Sequence, residues 1–360
     1  MGVKRSDWRL IVITVVVAAA AGTAHYARLG GDVAPFVVSA IALALLASLV
    51  GRSVEALGDR LGAGATGVVQ SALGNLPELF VVLFALRAKL YGVATATIVG
   101  SILANVLLVL GLAFLFGGIK HGRQKFGNEA ARTMSMLMVL SVAAMLVPSL
   151  TSALGSAATK AALHERTLSI VVSVLLLGLF VASLPASLRR QKTATGGETG
   201  DSAAAPEHSW PLGMALAMLA ITGLGAAFVS EWFVSALQPA MSTLGISEAF
   251  AGLVIVAIAG NAVENVVGIQ LALKNQSDYA LSVILQSPLQ IALVVAPALV
   301  LLSPLVGASF TLVLSPLLIA VLIMAIVITV LVVLDGESNW LEGATLVVLY
   351  GIIATAFWWG

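Results

Sequence analysis

Two glutamates carry the most demanding chemistry in this chain. Glu78 closes the stretch Gly74-Asn75-Leu76-Pro77-Glu78 and Glu264 closes Gly260-Asn261-Ala262-Val263-Glu264, so a Gly-Asn-x-x-Glu motif occurs twice, 186 residues apart. Each glutamate falls near the middle of an apolar run, at about 64–87 and 249–274. A carboxylate at the centre of a bilayer is costly and marks ion or proton pathways. No Lys or Arg lies mid-run to neutralise either one, which leaves a bound cation or protons as counter-charge. The neighbouring residues suit a hard cation. Asn75 and Asn261 bring neutral amide oxygens, and Gly74 and Gly260 weaken the helix beside them. Pro77 has no N–H, so the carbonyl of Leu73, four residues earlier, is free to coordinate. The second motif has Val263 there, so its backbone must open at Gly260 alone. Carboxylates, amides and free carbonyls form the oxygen set that Ca2+ takes. The competing readings are a kink made for packing and a protonated Glu bonded to a neighbouring helix.

The runs after the two motifs hold matching polar residues, Ser101 with Asn105 and Ser287 with Gln290. A spacing of three or four residues puts each pair on one helix face, and Pro288 frees the carbonyl of Ile284. A hydroxyl or amide in a membrane helix also often serves only to bond a neighbour. Sliding the chain by 186 residues without gaps further matches Val81 with Val267, Ala94 with Ala280, Ile98 with Ile284, Leu103 with Leu289 and Leu107 with Leu293. An odd number of apolar runs separates the motifs, so the two halves face opposite ways across a membrane. Inverted repeats with a site at their interface characterise secondary transporters.

The elements that must position these residues are membrane helices. The 360 residues are 60% apolar and 10% charged, against about 25% charged in a soluble domain, and mean hydropathy is +1.07. Hydropathy and breaker positions place spans at about 8–27, 33–51, 64–87, 92–117, 130–150, 166–189, 211–237, 249–274, 278–303, 308–334 and 340–359. The polar stretch 191–209 reads as a flexible linker between the halves. Basic residues fall thirteen to five in favour of a cytoplasmic N-terminus and an outward C-terminus. Met1 to Ala27 reads as an uncleaved first helix, with a cleaved signal peptide as the alternative. Glu55, Glu231 and Glu248 lie near span ends and read as interfacial charges.

Several classes fall away. A net charge of +1 gives no reason to expect nucleic acid. With no Cys and four His there is little support for thiolate, zinc or haem chemistry, and no resident cofactor is expected. The GxGxxG spelling at 62–67 enters a membrane helix with no strand before it and reads as chance. No P-loop or HExxH is present, so neither direct ATP drive nor a zinc protease is indicated.

With both Gly-Asn-x-x-Glu motifs, Gly100-Ser101-Ile102-Leu103-Ala104-Asn105 and Gln286-Ser287-Pro288-Leu289-Gln290, the chain resembles the Ca2+/H+ antiporter family of the Ca2+/cation antiporter superfamily. The resemblance covers roughly 33–360 and implies an all-α membrane fold of about eleven transmembrane helices. Residues 1–32 would be a leading helix, 33–190 and 210–360 two inverted five-helix repeats, and 191–209 a cytoplasmic linker. It implies that Glu78 and Glu264 bind the transported cation and the protons. Two departures stand out: Asn265 follows the second Glu where relatives often have His, and the linker offers only Glu198, Asp201 and Glu207, so regulation by Ca2+ through it is not expected. The related Na+/Ca2+ exchangers typically have a hydroxyl residue where Asn75 and Asn261 stand and often an Asp in the later polar helix, so the resemblance, with Gln290, implies protons rather than Na+ as counter-ion.

The expected function is exchange of Ca2+ for protons by alternating access, with Ca2+ efflux across a cell (inner) membrane, and no enzyme activity. A Na+/Ca2+ exchanger or another cation/H+ exchanger of the same fold is the alternative, followed by a cation channel and an intramembrane enzyme. The expected partners are Ca2+, H+ and the lipid bilayer, with the oligomeric state open.

Overall fold

The computed structural model describes residues 5–27, 30–61, 73–158, 160–196 and 210–360, and among them the chain is almost wholly helical. Twelve helices follow in order: α1 (Arg5–Ala27), α2 (Val33–Leu61), α3 (Leu76–Arg87), α4 (Tyr91–His121), α5 (Asn128–Ala158), α6 (Glu165–Gly196), α7 (Leu212–Leu244), α8 (Glu248–Gly260), α9 (Ala262–Leu273), α10 (Ser277–Val306), α11 (Pro316–Val333) and α12 (Trp340–Ala356). Two short strands, β1 (Gln124–Lys125) and β2 (Glu337–Ser338), pair antiparallel. Among the described residues eight helices are long and apolar enough to cross a membrane, and α8 with α9 make a ninth span bent by 61° if counted as one. Exposed side chains such as Val15 (α1), Leu175 (α6) and Leu331 (α11) are apolar, as expected of helices whose outer face meets lipid.

The repeat seen in the sequence reappears in the backbone. Helices α3 and α9 are both 12 residues long, and their bounds differ by the same 186 positions, as do the starts of α4 and α10. The chain leaves α3 through Lys89 at φ 63° and α9 through the equivalent Asn275 at φ 60°, the two non-glycine residues in left-handed conformation among those described. Their turns carry the same bonds: Leu90 N–H donates to Ala85 O at 2.9 Å, and Gln276 N–H to Leu271 O at 3.0 Å. These bonds satisfy carbonyls that a helix end otherwise leaves open. A π-helical segment interrupts α4 at Ala104–Val109 and α10 at Ile291–Val295, again at equivalent depth.

The chain divides into two compact units. The first comprises residues 1–81 and 177–240. At one end of it the buried Asp7 of α1 accepts from Arg52 of α2, and from Trp210 Nε1 at 3.2 Å. At the other end His25 of α1 stacks on Trp232 of α7, while Phe36 and Phe233 stack at 5.0 Å. Helix α1 is thus tied into this unit at both of its ends.

The second unit comprises residues 82–176 and 241–360. At one end it gathers the turns after α4, α9 and α11. There β1 pairs with β2, Arg123 bonds Glu337 at 2.6 Å, and Asp278 accepts from the Gly127 N–H at 2.5 Å. At the other end Ser247 donates to Phe357 O at 2.5 Å beside the C-terminus. The same opposite end holds an extended segment, and here the structure departs from the span expected at 308–334. Residues 308–315 are not helical, and α11 begins only at Pro316, capped by Ser315. Hydropathy alone does not distinguish an apolar helix turn from a buried extended strand.

The extended segment is buried through Phe310, Leu312 and Leu314, and its backbone groups are satisfied by three serines. Ser149 donates to Leu312 O at 2.8 Å and accepts from Leu314 N–H at 2.9 Å. Ser169 accepts from Leu312 N–H at 3.1 Å and Ser303 from Phe310 N–H at 3.0 Å. Non-helical backbone is tolerated at a membrane protein's core only with such partners. Ser149→Ala leaves one donor and one acceptor buried without a partner, and such a group costs about 1–3 kcal/mol. The expected result is a drop of several degrees in the Tm of the purified protein, read by thermal unfolding in detergent.

Two further expectations need correction or limitation. The linker read at 191–209 begins late, because α6 continues to Gly196 through Gln191 and Lys192, which are good helix formers. The rest of that stretch and the GxGxxG spelling at 62–67 lie outside the described residues.

Candidate functional site

In both motifs the Asn stands at the joint where a short helix begins. In the first, Leu73 is helical, Gly74 and Asn75 form a turn, and α3 starts at Leu76, which puts Pro77 in its first turn. Proline is tolerated there because first-turn N–H groups have no intrahelical partner. Asn75 and Glu78 are 3% and 4% exposed. In the second motif α8 ends at Gly260, and Asn261, at φ −91° and ψ 22°, forms the joint with α9. The expectation that the second backbone opens at Gly260 alone is corrected by this. The break falls on Asn261, whose Nδ2 donates back to Ala257 O at 2.9 Å. In both halves the motif Asn carbonyl then accepts the first helical bond, from Leu79 N–H and from Asn265 N–H, each at 3.0 Å. The side chains of Glu264 and Glu55 lie outside the described residues.

In the second unit, polar residues from the two repeat copies meet. Asn105 Nδ2 of α4 lies 2.9 Å from Asn261 Oδ1, 3.3 Å from Ser287 Oγ and 2.9 Å from Ser101 O. The Ser287 hydroxyl donates to the same Asn261 Oδ1 at 3.1 Å. All four residues are buried: Asn105 and Asn261 are 0% exposed, Ser101 is 2% and Ser287 is 4% exposed. Three residues named from the sequence on separate helices therefore form one hydrogen-bonded triangle, and Ser101 joins it through its carbonyl. Pairing a motif Asn of one half with the polar helix of the other follows from the chain order only if the halves interlock.

The triangle also separates the oxygens by role. Asn261 Oδ1 already accepts two bonds, so it serves as a joint in this arrangement. Ser101 Oγ and Asn105 Oδ1 are buried and, among the described residues, have no hydrogen-bond partner. A buried oxygen left open in this way is costly and calls for a proton donor, a water or a cation. Gln290 is 8% exposed on the same turn of α10 as Ser287. Among the described residues no cluster of three or more His, Asp or Glu could hold a resident metal.

Backbone contact holds the triangle's helices at close range. Helix α4 crosses a third π-helical segment, Ala251–Val256 of α8, through two glycines. A Cβ on Gly100 would lie 2.4 Å from Leu253 Cα, and one on Gly252 would lie 2.5 Å from Val93 O. One polar residue near this site was missed in the sequence reading. Thr329 of α11 is 0% exposed, and its hydroxyl lies 3.3 Å from the carbonyl of Val106 inside the π-segment. Its signal is visible in hindsight, since Thr329 is the one hydroxyl in an otherwise apolar 18-residue helix.

The sodium/calcium exchanger protein family matches residues 32–188 and 214–359, with the intervening stretch unmatched. The chain is similar to a Ca(2+)/H(+) antiporter of Synechocystis sp., 32% identical over 341 residues covering 91% of each chain. It is also similar to the Ca(2+)/H(+) antiporter ChaA of Bacillus subtilis, 35% identical over 328 residues covering 89% of this chain and 91% of the relative. Among solved structures, native YfkE superposes with a TM-score of 0.79 at 31% identity, covering 98% of this chain and 99% of its own. A sodium-calcium exchanger structure matches at a TM-score of 0.54 and 20% identity over 89% of this chain, a likeness of fold alone. With two matched blocks that each hold one Gly-Asn-x-x-Glu motif and one polar helix, the chain belongs to the sodium/calcium exchanger protein family.

Proposed function

We propose that this protein is a secondary antiporter that exchanges Ca2+ for protons, and that Glu78 and Glu264 bind both. The observation that carries the reading is the buried triangle of Asn105, Asn261 and Ser287, beside which Ser101 Oγ and Asn105 Oδ1 remain open. Carboxylate, amide and carbonyl oxygens, the types found at the two motifs, are the donors that Ca2+ takes, and relatives at 32–35% identity carry the name Ca(2+)/H(+) antiporter. Asn75, the Leu73 carbonyl and Gln290 complete the proposed set, with Gly74 and Pro77 keeping the first backbone open and Asn261 forming the second joint.

Coupling follows from charge. Two carboxylates sharing a low-dielectric site resist being ionised together, so the pair is neutralised either by one Ca2+ or by protons. The empty, doubly charged site is too costly to carry through the occluded state, which suppresses uncoupled leak. Ca2+ loads on one side, the repeats rearrange around the fixed site, and protons displace it on the other. In a cell membrane with a cytoplasmic N-terminus and an outward C-terminus, an inward proton gradient drives Ca2+ out.

Purified protein in proteoliposomes tests this. A pH gradient, acid inside, is expected to drive Ca2+ uptake at zero Na+ gradient, while a Na+ gradient at constant pH drives none. Uptake driven by Na+ alone would replace the reading by Na+/Ca2+ exchange. Steady Ca2+ flux coupled to neither ion would point to a channel.

A further inference from the structure

Helix α9, which carries Glu264, is short and cut from α8 at Asn261, so it has no continuous axis to hold it at its N-terminal end. Its C-terminal end has an unusual partner. Lys120 Nζ donates to Leu273 O at 2.9 Å, and His121 Nε2 lies 2.9 Å from the same carbonyl. A carbonyl oxygen only accepts, so the imidazole is the donor there and Nε2 carries its hydrogen. Leu273 is the last residue of α9, and its carbonyl is one of those that a helix leaves open at its end. Cationic side chains at such an end also meet the negative pole of the helix dipole.

Both of these donors close α4, and the other end of α9 is held by α4 as well. Asn105, midway along α4, bonds Asn261 at the joint where α9 begins. One span therefore grips the glutamate helix at both ends, with the π-segment Ala104–Val109 between the grips. A π-segment is a common site of helix adjustment. The second half of the chain carries no equivalent pair of donors. The residues that correspond to Lys120 and His121 under the shift of 186 are Val306, with no donor, and Gly307, with no side chain. The two repeat copies are thus unequal at this point, although their backbones agree.

We propose that Lys120 and His121 are positioning residues that clasp the Glu264 helix to α4 and hold it in the geometry that binds Ca2+. The clasp rests on the antiporter reading given above.

The test measures Ca2+-dependent proton exchange in proteoliposomes for wild type, Lys120→Met/His121→Leu, which removes both donors, and Lys120→Arg. The double variant is expected to raise the apparent KM for Ca2+ about tenfold, equivalent to about 1.4 kcal/mol. The maximal rate per folded protein and the Tm stay near wild type, since both groups are exposed. Lys120→Arg keeps a donor within reach of Leu273 O and stays near the wild-type KM. A double variant with unchanged KM overturns the clasp, whether or not its Tm falls, because a purely structural cap alters the folded amount and not the affinity. Failure of Lys120→Arg to retain the wild-type KM overturns it as well. A wild-type protein that exchanges no Ca2+ overturns the antiporter reading, and the clasp's role with it.

Discussion

Glu264→Gln is expected to abolish Ca2+ exchange, to below about one-hundredth of the wild-type rate, and Glu78→Gln to do the same. Gln keeps the volume and one carbonyl oxygen of Glu but removes the charge that the cation neutralises. A hundredfold loss corresponds to about 2.7 kcal/mol, a modest demand on a carboxylate that must offset a divalent ion in a membrane interior. Glu78 is 4% exposed, and Gln fills the same buried volume. The Tm of both variants is expected within a few degrees of wild type or above it. Ca2+ uptake under a pH gradient is the measurement. Either variant retaining wild-type uptake would remove that residue from the site.

The second large effect is steric. Gly100→Val is expected to prevent folding, seen as loss of monodisperse protein on size-exclusion chromatography. Even a bare Cβ at Gly100 would lie 2.4 Å from both Leu253 Cα and Leu253 O. These are backbone atoms of the α8 π-segment, which cannot rotate away as a side chain would. Overpacking a well-filled core costs about 1–3 kcal/mol where neighbours can yield, and more here. Helix α4 would be forced away from α8, and the Asn105–Asn261 bond depends on their approach. Gly100→Ala is expected to fold in reduced yield. A fully stable Gly100→Val protein would show that the crossing is looser than described.

Features written in residue type and spacing were legible in the sequence. The motif pair predicted that the backbone opens twice; turns stand at Gly74-Asn75 and at Asn261, the second one residue past the expected Gly260. The shift of 186 aligned Val81 and Ala94 with their partners, and the structure extends the agreement to helix ends and to the left-handed residues Lys89 and Asn275. The i, i+4 spacing of Ser101 and Asn105 foretold one face, and Asn105 does bond Ser101 O.

Other features depend on distant partners and leave no local trace. Residues 308–315 are as apolar as a helix, and only Ser149, Ser169 and Ser303 reveal why they can stay extended. The π-segments have no composition of their own. Nothing near Lys120 in the chain shows that Leu273 O lies within its reach. The role of Asn261 shifted as well. It was read as a cation ligand, yet its Oδ1 is taken up by Asn105 and Ser287, while the open oxygens are Ser101 Oγ and Asn105 Oδ1.

The shared binding of one Ca2+ by both motif glutamates is tested most directly by a crystal structure of the protein grown with Ca2+, with the ion identified by its anomalous signal. One ion is expected with oxygens of Glu78 and of Glu264 both at about 2.3–2.6 Å, beside the Asn105 and Ser101 oxygens. An ion held by only one of the two glutamates, or bound away from both, would contradict the exchange mechanism proposed for this chain.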